Sequence, residues 1–171
     1  MDSAKIRGLD LEEYTYLTQC LQYYILKNSI AIHISKQPKT MGTLLWQLND
    51  CWPVTSWSII DHYKRPKAGW YAVKKAFGNN ETQTDSIYSR KLNLIKPEFK
   101  LSKKKNLLVV ECNTVAKYVF VSLKDDILDL SNNYFDISKN EKVVLNIKNK
   151  KESDWDVKKV KIISLYDILN K

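Results

Sequence analysis

The sequence predicts an α+β chain in two unlike parts: a βα segment of TIM-barrel type, then a small antiparallel β-sandwich. Three observations carry this. Residues 10–36 place apolar side chains at helical spacing. An almost unbroken apolar run, 41–48, leads through a loop into a second helical segment, 66–77. From residue 92 the texture changes to short strands split by polar turns. The resulting boundaries are 1–78 for the barrel segment, 79–91 for a linker and 92–171 for the sandwich.

In the first helix Leu11, Tyr14, Leu17, Leu21, Tyr24 and Ile25 form one apolar stripe. Asp10, Glu12 and Glu13 occupy its first turn, where negative charge suits the helix dipole, and Pro38 stops it. Met41 to Leu48 has the texture of a strand buried on both faces, as in parallel sheets. Pro66 suits the first turn of the second helix, whose Trp70, Val73, Ala76 and Phe77 share a face. Helix, buried strand, long loop and helix is a βα-barrel rhythm, yet one parallel strand cannot close a sheet. The segment is therefore a piece of something larger.

The linker contains the sequon Asn80-Glu81-Thr82. Strands are expected near 92–96, 106–112, 117–123, 142–148 and 158–165, with alternation clearest over Lys117 to Ser122. Asp125-Asp126, Ser131-Asn132-Asn133 and Lys139-Asn140-Glu141 supply turn chemistry. The lysine runs 103–105 and 148–151 are expected in turns as well.

The net charge of +9 invites a nucleic-acid reading, but the excess is diffuse. Residues 1–78 hold 10 basic and 6 acidic side chains, and residues 79–171 hold 18 and 13. Arginine occurs only at Arg7, Arg65 and Arg90, so no basic face with aromatic or arginine interleaving is expected, and no nucleic-acid partner. No apolar run approaches the ~20 residues needed to span a bilayer, and no signal peptide is visible at the start, so no membrane partner is expected. Cys20, Cys51 and Cys112 are read as three buried free thiols, and His33 and His62 as isolated structural histidines. Neither a metal site nor a cofactor is expected.

Chemistry concentrates in 41–77, where Trp46, Trp52, Trp57 and Trp70 lie within 25 positions beside Asn49, Asp50 and Asp61. A pyranose offers a C–H face to an aromatic ring and hydroxyls to amides and carboxylates, so this mixture suits sugar binding. Four tryptophans filling a large core is the competing reading.

The tract GTLLWQLNDCWPVTSWSIIDHYKRPKAGWYAVKKAF resembles the final strand, loop and helix of the catalytic barrel in family 2 β-mannosidases. Leu9 to Gln19 is similar to that family's preceding helix. Residues 131–136 and 161–168 resemble its terminal immunoglobulin-like domain. The resemblance implies an immunoglobulin-like fold for the sandwich and a retaining glycosidase with two glutamates roughly 5 Å apart. In the family both glutamates lie on earlier barrel strands. No residue of this chain matches them, so no catalytic residue is assigned. Trp46 matches the tryptophan at the end of the last barrel strand that helps floor the sugar subsite. Asn49, Asp50 and Trp52 follow on the same rim as further substrate-binding candidates, Asp50 being equally suited to capping the loop. Trp57, Asp61 and Trp70 are expected to pack the last helix against the barrel.

Pro66 and Gly69-Trp70 depart from the commonest mannosidase pattern, and exo-acting glucosaminidases of the same family can carry proline there. The implied partner is a β-mannoside oligosaccharide or glycoprotein-derived glycan, with the remainder of the barrel in another chain as a further partner. The alternative function is a non-catalytic carbohydrate-binding or interaction module. Such families occur in lysosomes or the secretory route and in bacterial cytoplasm or periplasm, so no compartment follows.

Overall fold

Helix α1, Leu11–Ser35, begins where the acidic residues place it. Asp10 accepts a hydrogen bond from the Glu13 backbone N–H at 2.9 Å, and Glu13 accepts one from the Asp10 N–H at 3.1 Å, a reciprocal capping box. The computed structural model describes residues 8–79, 82, 84, 94–124 and 128–170. The expected linker apart from 79, 82 and 84, the sequon's Asn80 and Glu81, and the Asp125-Asp126 turn lie outside them. The chain divides into two compact units, 1–91 and 92–171.

In the first unit α1 packs against α2, Ala68–Gly78. The contact face of α1 is Tyr16, Cys20, Tyr23, Lys27, Ile30 and Ala31 rather than the expected stripe. Leu11, Tyr14, Leu21 and Ile25 are exposed instead. On α2 the buried residues are small: Ala68, Gly69, Ala72 and Ala76, with Tyr71. Small side chains let the two backbones approach closely. A Cβ added at Gly69 would meet Ile59 Cγ2 at 2.8 Å and Leu26 Cδ1 at 2.9 Å. The expected α2 face is corrected accordingly, since Trp70 and Phe77 are exposed. Pro66 also lies outside the helix, which starts two residues later with Lys67 as its N-cap. Lys67 provides no side-chain cap; Gln19 of α1 accepts from the Ala68 N–H at 2.8 Å instead.

The buried strand expected over 41–48 does not form among the described residues. Its backbone turns at Gln47, whose φ of 65° is incompatible with continued extension. Leu44 is fully exposed and Met41 is 73% exposed. The physical reason is direct: an apolar strand needs neighbours to pair its edges and cover its faces, and the described residues of this unit supply none.

The second unit is two three-stranded antiparallel sheets. One has the order β1-β2-β5: Phe99–Lys104, Leu107–Cys112 and Lys142–Asn146. The other has the order β4-β3-β6: Phe135–Ile137, Ala116–Leu123 and Val160–Ile163. A one-turn helix, α3, Leu165–Leu169, ends the fold where the last strand was expected to continue to 165. Leu108, Val110, Val119, Ile137, Leu145 and Ile147 form the centre of the core, with Trp155 at its margin.

In β2 every second residue is buried, as alternation requires. In β3 the phase slips, because Ala116 and Val119 both face inward. Tyr118 takes φ 52° and the register shifts between Ala116 and Val119, a β-bulge. Buried Asn133 then acts as a backbone partner, accepting from the Val121 N–H at 2.8 Å and donating to the Val121 carbonyl at 2.9 Å. Two strand expectations are corrected. Residues 94–98 form no strand, and the first strand is Phe99–Lys104, so Lys103 and Lys104 end a strand rather than sit in a turn. Lys105, with φ 54°, makes the turn.

Candidate functional site

The loop from Trp46 to Pro66 is shaped by main-chain hydrogen bonds folding it back on itself. The Leu48 carbonyl accepts from Ile59 N at 3.2 Å and Ile60 N at 3.0 Å, and Asp50 N donates to the Ile60 carbonyl at 3.1 Å. Lys67 N donates to the Ile59 carbonyl at 2.9 Å, joining the loop to the start of α2. Gln22 of α1 donates to the Trp57 and Ser58 carbonyls at 3.0 and 3.2 Å. Two short polar crossings thus pin a long loop to the helix pair.

At the root lies a compact polar cluster. Asp50 is buried; one carboxylate oxygen accepts from the Ser56 hydroxyl and the other from Lys67 Nζ at 2.8 Å. Lys67 Nζ also donates to Ser58 Oγ at 2.7 Å. The hydrogen bonds from Lys67 and Ser56 lower the Asp50 pKa to about 2, outweighing burial, which acts the other way. Asp50 is therefore a carboxylate at every ordinary pH, with both oxygens engaged. It braces the loop.

The remaining candidates stand outside the brace. Trp46 is 77% exposed, Trp52 is 64% exposed, and Asn49 is exposed with a long contact of 3.3 Å from Nδ2 to the Asp50 carbonyl. The four candidates share one loop, on which Trp46 and Trp52 form open aromatic surface. Trp57 was expected to pack and does not, being 77% exposed. Asp61 holds a local turn, accepting from the Arg65 backbone N–H at 2.8 Å and from its guanidinium. Cys51 is exposed rather than buried, unlike Cys20 and Cys112. His33 Nδ1 and Thr43 Oγ1 are 2.7 Å apart, tying the end of α1 to the apolar tract. The bracing roles of Ser56, Ser58 and Lys67 were missed in the sequence, where a lysine 17 positions from an aspartate gives no periodic signal.

Residues 93–168 match the mannosidase Ig-fold domain family. Beta-mannosidase B of Thermothelomyces thermophilus is 41% identical over 70 residues, covering 38% of this chain and 8% of that protein. Beta-mannosidase B of Aspergillus niger is 44% identical over 69 residues, covering 39% and 8%. Over these stretches the chain is similar to β-mannosidases. The beta-D-mannosidase of Dictyoglomus thermophilum, known from a crystal structure, aligns with 95% of this chain and 19% of its own at 27% identity and a TM-score of 0.40. The matched stretch is thus a small part of each β-mannosidase, 8% of the two fungal proteins. Its second unit is an immunoglobulin-like domain of the β-mannosidase type.

Proposed function

We propose that the chain is the carboxy-terminal part of a β-mannosidase-like retaining exo-glycosidase, which removes terminal β-D-mannose from oligosaccharides. In this reading residues 1–78 are the last elements of the catalytic (β/α)8 barrel, 79–91 the linker and 92–171 the terminal domain. Trp46 forms part of the floor of the sugar subsite, Asn49 and Trp52 stand on its rim, and Asp50 holds the loop that presents them. The two catalytic glutamates belong to earlier barrel strands, so this chain contributes a pocket wall and no acid, base or nucleophile.

The observation that carries the reading is the exposure of an apolar tract written for burial. Leu44 is 100%, Trp46 77% and Leu48 57% exposed, and α1 adds a second open stripe at Tyr14, Leu21, Ile25 and Ile32. Contiguous exposed apolar surface on this scale marks an interface. Barrel strands and helices preceding this segment would cover both surfaces, and the named relatives are far longer than the stretch they share with this chain.

Calorimetry with β-1,4-mannobiose tests the reading. With the opposite walls of the pocket missing, the chain alone gives no saturable heat that Trp46→Ala removes. A clear Trp46-dependent isotherm would instead make the chain a self-sufficient binding module.

A further inference from the structure

We draw no further inference here: the strongest candidate, the exposed apolar surface of the first unit at Met41, Leu44 and Leu48, adjoins the site already described, and nothing in the structure shows what covers it.

Discussion

Two leucines, one in each unit, differ in what surrounds them. Leu145 is fully buried at the centre of the sandwich core, and Leu44 is fully exposed in the apolar tract. Cutting either to alanine removes the same three carbons. At Leu145 the transfer loss is about 0.8 kcal/mol per carbon, or about 2.4 kcal/mol, and the cavity left behind brings the cost to about 3–5 kcal/mol. A domain of this size is stable by only about 4–12 kcal/mol, so Leu145→Ala removes a large share. At Leu44 nothing buried is lost, and the change stays within about 0.5 kcal/mol. Urea unfolding followed by circular dichroism and tryptophan emission reads both. Trp155 is buried while Trp46, Trp52 and Trp57 already face water, so the emission change on unfolding comes mainly from the sandwich. With a slope near 1 kcal/mol/M, Leu145→Ala lowers the midpoint by about 3 M or abolishes the transition. If Leu44→Ala shifted the midpoint as far, the tract would be packed within the chain, and the argument from its exposure would collapse.

Other perturbations test other joints of the structure. Gly69→Val should destabilise the helix pair by about 1–3 kcal/mol, because even its Cβ would stand 2.8 Å from Ile59 and 2.9 Å from Leu26; unfolding of the first unit by circular dichroism checks this. Asn133→Ala leaves the buried N–H and carbonyl of Val121 unpaired and should cost the sandwich about 2 kcal/mol or more, whereas replacing the exposed Asn132 should cost little. The Asp50 brace gives a pH signature. Its carboxyl is depressed to about 2 in the folded chain against about 3.9 in an unfolded one, so its contribution is complete above about pH 4 and is lost as pH falls through about 2. Emission from Trp46, Trp52 and Trp57 should change over that interval, and Asp50→Asn should remove the dependence.

Much of this was legible in residues whose role is local. The span 10–36 was expected for the first helix, and Leu11–Ser35 forms it, because Asp10 and Glu13 write a capping box into the sequence itself. Strands β2 and β3 announced themselves by alternation around Val110 and Val119. What was lost depends on what lies opposite. Lys103 and Lys104 looked like part of a lysine turn, yet they end β1: Lys104 is an outward position and Lys103 an inward one, with its ammonium over the Trp155 ring. The apolar spacing of Tyr14, Leu21 and Ile25 did not reveal the buried face of α1, which is Tyr16, Cys20, Tyr23, Ile30 and Ala31. Met41 to Leu48 carries a strand's composition without a strand's neighbours. At the candidate site the aromatic residues stood out by type, while the Asp50–Lys67 brace, formed across 17 positions by loop closure, had no pattern to reveal it.

The most direct test of the account is hydrolysis of p-nitrophenyl β-D-mannopyranoside by the purified 171-residue chain. The account predicts no release of nitrophenol above the uncatalysed background, because the chain supplies a pocket wall and no catalytic carboxylate. Turnover that disappears when a single glutamate of this chain is changed to glutamine would contradict it.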